Sequence, residues 1–255
     1  MKKFLSVLLV VAIVLSLSSN AFANGTEDVT IDYIDQMLRA ANTPEEQIEA
    51  MDDDLKRLIY ENSLSNNDVE YIDVTKEQTA DSMARSGDQI SESDLVLRVT
   101  AYKVTGQDQV DIYPYYQWLT PVKPKGKDCF SYLTHSSYSI VQNERSNAIY
   151  VKEQENHSWQ HAGSATYSGI SFVGYEHKGS SLGTPDIPIY IKGQFFFRVD
   201  IDVDNPVKKI ILAYVHDTSS GGNVSYGISY GGLSISVTPS SNKVSYLNNV
   251  FILNY

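Results

Sequence analysis

Residues 189–203 read I-Y-I-K-G-Q-F-F-F-R-V-D-I-D-V. Every odd position except Gly193 holds a large apolar side chain: Ile189, Ile191, Phe195, Phe197, Val199, Ile201 and Val203. The even positions hold Tyr190, Lys192, Gln194, Phe196, Arg198, Asp200 and Asp202. A period of two sends alternate residues to opposite faces, so the spacing predicts one long strand with an apolar side and a wet side. The apolar side requires a cover, which the rest of the C-terminal half is expected to supply.

The same texture extends outward from that strand. Residues 95–105 and 110–118 read as strands joined at Gly106-Gln107-Asp108, a hairpin connection. Residues 129–141, 148–153 and 166–175 are further strand candidates. Beyond Asp204-Asn205-Pro206, residues 210–215 form a continuous apolar run suited to a central strand. Residues 224–230, 233–238 and 244–255 complete the set. Strands with short turns and no helical interludes predict a mainly β domain over residues 94–255, an antiparallel β-sandwich with a barrel as the alternative.

The N-terminal part is different. Lys2 and Lys3, an apolar run over residues 4–17 and Ala21-Phe22-Ala23 make residues 1–23 a signal peptide, which predicts a secreted, extracellular protein of bacterial type. Residues 24–93 read as an acidic helical segment and polar linker. Residues 24–94 carry 19 acidic and 5 basic side chains, a net of −14, against 12 and 13 over residues 95–255, a net of +1. Neither part is basic enough to make nucleic acid an expected partner. Ile31, Ile34, Met37, Leu38 and Ala41 recur at helical spacing. Thr43-Pro44-Glu45-Glu46 has the form of a capping box ahead of a single stripe, Ile48, Met51, Leu55, Leu58 and Ile59. Asp52, Asp53 and Asp54 fall mostly off that stripe and read as a solvated helix face. Residues 62–94 are polar linker apart from a short strand candidate at 69–74.

Four segments carry a resemblance: Thr43-Pro-Glu-Glu, Met51-Asp-Asp-Asp-Leu-Lys-Arg-Leu-Ile-Tyr, Tyr115-Tyr-Gln-Trp-Leu and Tyr214-Val-His-Asp-Thr-Ser. Together they resemble a set of small secreted proteins of Gram-positive spore-forming bacteria, across most of the chain after residue 23. No activity is established for that set. The resemblance implies secretion and domain order, and assigns no residue a role.

The candidate chemistry is sparse. Asp200, Asp202 and Asp204 share a strand face, each about 6.5–7 Å from the next by strand rise. They are the metal candidates, because a curl in the chain there would turn several hard oxygens toward one calcium ion. Ile201 and Val203 between them are not residues of a calcium loop, and a straight strand holds the carboxylates too far apart. His157 and His161, four apart, would share zinc on a helix, but their surroundings lack helical periodicity, and His177 lies further on. Asp217-Thr218-Ser219 has one half of an aspartic-peptidase turn with no second copy. No catalytic constellation emerges, and no cofactor other than calcium is suggested. Cys129, the one cysteine, is expected to be a buried small residue.

Aromatic side chains remain. Tyr113 and Tyr115 share a strand face with Asp111 and Gln117, whereas Tyr116 and Trp118 share the other with Val110 and Ile112 and read as core. Tyr113 and Tyr115 are therefore the ligand-binding candidates. The leading expectation is a non-enzymatic secreted β-sandwich that binds an extracellular glycan, wall polymer or protein. The alternative is an exported toxin or membrane-active β protein controlled by its acidic N-terminal segment, since a 15-residue alternating strand is long enough to cross a bilayer in a barrel.

Overall fold

The computed structural model describes residues 29–77, 88–124, 127–134, 138–168, 173–178, 187–201, 208–217, 225–229, 234–238 and 244–255. Three short helices come first: α1 (Ile31–Ala40), α2 (Glu45–Ala50) and α3 (Asp53–Ile59), the last running into a π-helical turn, Tyr60–Leu64. The strands are β1 (Val69–Glu77), β2 (Asp88–Gln89), β3 (Leu95–Val104), β4 (Gln109–Trp118), β5 (Lys127–Thr134), β6 (Tyr138–Lys152) and β7 (Gln160–Gly163). They continue as β8 (Thr166–Ser168), β9 (Val173–Lys178), β10 (Tyr190–Ile201), β11 (Lys209–Asp217), β12 (Ser225–Ser229), β13 (Ser234–Thr238) and β14 (Val244–Asn254).

A 12-stranded sheet runs β7-β6-β10-β4-β3-β1-β14-β11-β5-β9-β8, with β2 alongside β14, while β12 and β13 form a separate hairpin. Every pairing is antiparallel except β2 on β14. The sheet folds over at β1, whose residues 69–72 pair with β3 and 73–77 with β14. Two layers result, and apolar side chains from both fill the space between them, as in a β-sandwich. Rings meet across the layers: Phe130 and Phe195 lie 4.7 Å apart, Tyr116 and Tyr214 4.6 Å, and Tyr132 stacks on Phe197 at 4.2 Å. Each such pair adds about 0.5–1.5 kcal/mol beyond its buried area. The end strands β7 and β8 do not pair with each other, so the sheet is not a closed barrel. The chain passes between them over Ser164-Ala165, and the Asn147 side chain pins this corner, accepting from Ala165 N (2.6 Å) and donating to Ala165 O (3.3 Å).

The odd face of β10 is core, with Ile191, Phe195, Phe197 and Val199 fully buried. Gly193 breaks the alternation because the Tyr116 ring of β4 lies across it. A Cβ there would stand 2.3 Å from Tyr116 Cε1 and 2.9 Å from Phe195 Cε2. The even face, expected to be wet, is covered as well. Lys192 and Gln194 are 0% exposed and Phe196 1%. The cover is the helical segment, whose Ile34, Leu38, Ile48, Leu55 and Ile59 pack on Tyr102, Tyr113 and Phe196 in a second core. Alternation in β10 therefore separates two interiors rather than an inside from an outside.

The helical stripe is also interrupted. Met51 is extended (φ −86, ψ 136), and Asp52 restarts the helix by accepting from Leu55 N at 2.8 Å. Thr43 does not close the expected capping box; its hydroxyl meets Tyr102 Oη at 3.1 Å across the interface with β3. No helix among the described residues is long and apolar enough to cross a membrane. Both faces of β10 are covered from Ile191 to Phe197.

Candidate functional site

The bend in β1 opens the sheet. Thr105 N donates to Asp68 O (2.8 Å), which fixes the phase of the ladder: by alternation, Ala101 and Lys103 also turn their backbone groups toward β1. Leu97 and Val99 turn theirs the same way. On β1, Ile72 and Glu70 face β3, and Val74 and Lys76 follow in phase, whereas Tyr71 N points oppositely, to Ala41 O at 2.8 Å. Had the register Ile72↔Ala101 continued, Val74 would lie opposite Val99 and Lys76 opposite Leu97. Instead β1 leaves to join β14. The backbone N–H and C=O groups of these four residues find no backbone partner among the described residues.

A cleft of about 400 Å³ occupies the split. One side is formed by Ala50, Met51, Asp52 and Leu55 of the helical segment, and the other by Val74, Lys76, Asn249 and Phe251. The edge of β3 from Leu95 to Thr100 runs along it, and Tyr115 stands behind that edge. Arg98 is exposed, and among the described residues its guanidinium makes one hydrogen bond, to Ala50 O at 3.4 Å. Lys76 is ion-paired to Glu92 at the rim. The cleft thus combines a mixed apolar and polar lining, open backbone edges and a guanidinium with no carboxylate partner among the described residues.

Behind the cleft lies a buried cation. Lys192 Nζ contacts Asp52 Oδ2 at 2.6 Å and Asp54 Oδ2 at 2.7 Å, and sits 4.8 and 4.9 Å from the ring centres of Tyr150 and Trp159. Gln194 Nε2 donates to the other oxygen of Asp52 at 2.8 Å. Asp52 consequently caps α3, neutralises Lys192 and lines the cleft at once. The acidic triplet had been expected to face solvent; two of its members anchor the helices to β10, and nothing in their local spacing announces a partner about 140 residues away. Burial, then Asp54 and Asp52, push the Tyr150 hydroxyl up to about 12. Burial and Asp52 likewise push Tyr115 up, with Arg98 opposing.

The two tyrosines expected to bind ligand have separate places. Tyr113 is 0% exposed, lies over Phe196 and meets Ser63 Oγ at 2.5 Å, so it offers a ligand no surface. Tyr115 is 8% exposed, lines the cleft and donates to Gln117 Oε1. Asp200 accepts from Gln109 Nε2 at 2.7 Å; Asp202 and Asp204 lie outside the described residues. Among the described residues no group of three or more His, Cys, Asp or Glu side chains could hold a metal ion. His157 and His161 are exposed, the second edge-on to Tyr150 at 5.5 Å, and the side chain of His177 is outside the described residues. The side chain of Asp217 and residues 218–219 are outside them too. Cys129 is 2% exposed, beside Val215 and Tyr246.

Two buried carboxylates are held by polar partners. Asp111 takes Arg198 in a two-pronged contact (2.6 and 2.8 Å) and accepts from Ser63 Oγ at 2.5 Å, which ties the π-helical turn to β4 and β10. Asp128 receives Tyr214 Oη and pairs with His216 Nδ1, each at 2.7 Å. Both clusters join elements within the fold.

No protein-family model matches the chain, and no curated protein does. Among solved structures, the T6 backbone pilin of serotype M6 Streptococcus pyogenes is similar over 64% of this chain at 10% identity, with a TM-score of 0.34. This chain spans about a third of that pilin's length (36%). A structure described as AvmM, which catalyses macrocyclization in alchivemycin A biosynthesis, is similar over 59% of this chain and 88% of its own, at 10% identity and a TM-score of 0.21. At these scores neither likeness bears on function.

Proposed function

We propose that the protein is an exported, non-catalytic β-sandwich that works by binding an extracellular glycan, wall polymer or protein, and that the partner enters the cleft between the helical segment and β3. The observation that carries this reading is the Arg98 guanidinium beside Tyr115, without a carboxylate partner among the described residues, in an open space lined by both apolar and polar side chains. Binding sites commonly combine apolar patches, here Leu55, Leu97 and Phe251, with a few fixed polar groups. The Asp128–His216 pair, the nearest approach to catalytic machinery among the described residues, is buried between β5 and β11 and supports structure instead.

The test compares the secreted protein with an Arg98→Glu variant for retention on isolated cell wall, on a glycan array and on immobilised cell-surface proteins. Retention of the unaltered protein on one of these, lost in Arg98→Glu, supports the proposal. Equal retention of both proteins, or turnover of a substrate without retention on any surface, overturns it.

A further inference from the structure

We infer that the cleft accepts an extended peptide segment of a partner protein, which adds as a strand between β3 and β1; this rests on the binding reading above and names the partner's chemistry. The argument comes from the register. Leu97 and Val99 on one wall, and Val74 and Lys76 on the other, direct N–H and C=O groups into the split. On each wall these groups repeat every second residue, about 6.6–7 Å apart. A polypeptide in extended form presents complementary groups at that same repeat on both of its edges, whereas a glycan has no such periodicity. Unpaired strand edges are the recognised means by which sheets take up foreign strands, main-chain bonds giving affinity and side-chain pockets giving selectivity.

Side chains specify the guest further. Its residues alternate between two environments. On one side lie Leu97 and Phe251, which belong to the core between the layers, and these call for apolar residues. On the other side lie Met51 and Arg98, and the guanidinium, without a carboxylate partner among the described residues, calls for Asp or Glu. The six residues of β3 along the cleft, 95–100, set a guest length of about 20 Å, or roughly six residues. The occupant is thus an alternating apolar hexamer with one acidic side chain on its opposite face.

The experiment presents the full secreted protein with a phage library of random octapeptides, in parallel with a glycan array. A synthetic peptide of the enriched sequence is then titrated while amide hydrogen exchange is followed. Enrichment of alternating apolar peptides carrying one carboxylate is expected. Saturation with such a peptide should slow exchange at Leu97, Val99, Val74 and Lys76 by at least about tenfold, and leave Val96 and Arg98, already laddered to β4, unchanged. Arg98→Glu should weaken the acidic peptide by about tenfold or more and favour a version with Lys in place of its carboxylate. Four outcomes overturn the inference: no enriched peptide; a bound peptide that leaves those four amides unchanged; selection indifferent to the charge at residue 98; or exclusive enrichment of sequences from this chain, which would make the occupant a second copy. Arg98-dependent retention on glycans without peptide binding would sink strand addition and leave the broader binding reading standing. Loss of both kinds of binding removes both.

Discussion

Lys192 offers a test of how the helical segment is held to the sheet. Its ammonium is 0% exposed, while Asp52 and Asp54, which neutralise it, are 29% and 34% exposed. The pair is therefore asymmetric. Removing the carboxylates strands a buried cation, a change that costs about 3–5 kcal/mol when a buried pair is broken from one side. The lower end applies here, because the faces of Tyr150 and Trp159 still receive the ammonium. Asp52→Asn with Asp54→Asn should accordingly destabilise by about 3 kcal/mol. Asn is a good helix cap and keeps an oxygen for Leu55 N, so loss of capping contributes little. Lys192→Met leaves two carboxylates that water already reaches and fills similar volume, so it should stay within about 1 kcal/mol of the parent. Introduced into the double-Asn background, it should recover most of the loss. Urea denaturation of the four proteins gives the cycle. The reasoning fails if the double-Asn protein lies within about 1 kcal/mol of the parent, or if Lys192→Met is the costlier change.

Gly193→Ala places a methyl group against the Tyr116 ring, which is itself fixed between Phe130, Phe195 and Tyr214, so a loss of about 1–3 kcal/mol is expected in the same urea assay; a neutral result would mean that the ring yields freely. Ser63→Ala removes a hydroxyl from buried Asp111 and Tyr113 and should cost about 1–3 kcal/mol, with earlier proteolysis of the helical segment as a second readout; unchanged stability and protease resistance would contradict the role given to this cluster. Burial raises the hydroxyl pKa of Tyr102, Tyr113, Tyr115, Tyr116 and Tyr214. Below about pH 10 both folded and unfolded chains keep these protons. Above it the unfolded chain loses them first, so stability should fall by up to about 1.4 kcal/mol per pH unit for each tyrosine. Tyrosinate absorbance should then rise together with loss of circular dichroism, and gradual ionisation near pH 10 in an intact fold would refute the assignment.

The layered architecture was legible because apolar side chains at a period of two have one economical reading. Phe195, Phe197 and Val199 lie in the core where that reading puts them, and Tyr116 and Trp118 lie opposite the second layer. The opposite face of β10 was misread for a related reason. Lys192, Gln194 and Arg198 look solvated in isolation, and only their partners Asp52, Asp54 and Asp111, drawn from distant parts of the chain, allow the first two to be buried and the third to be partly covered. The cleft had no local signature. It arises where β1 changes neighbours between Ile72 and Asp73, and this follows from the competition of β3 and β14 for one strand rather than from either residue's preference. Tyr115 was picked out by composition and reaches the cleft wall, whereas Tyr113, two residues away on the same face, is sealed under the helices.

The ladder that closes the second layer joins Asp73 to Asn254, with the Asn254 side chain reaching Asp73 over a separation of 181 residues. Closing so long a loop is slow, since chain entropy is lost before any contact compensates it. Until residues 244–254 arrive, β1 and β11 both lack the neighbour that lies between them, and each presents a raw border to other chains in the vicinity. A cell producing this protein in quantity must therefore shield a half-built sheet for as long as that gap stays open, and early termination inside β14 would leave a product prone to clump rather than a slightly weakened one.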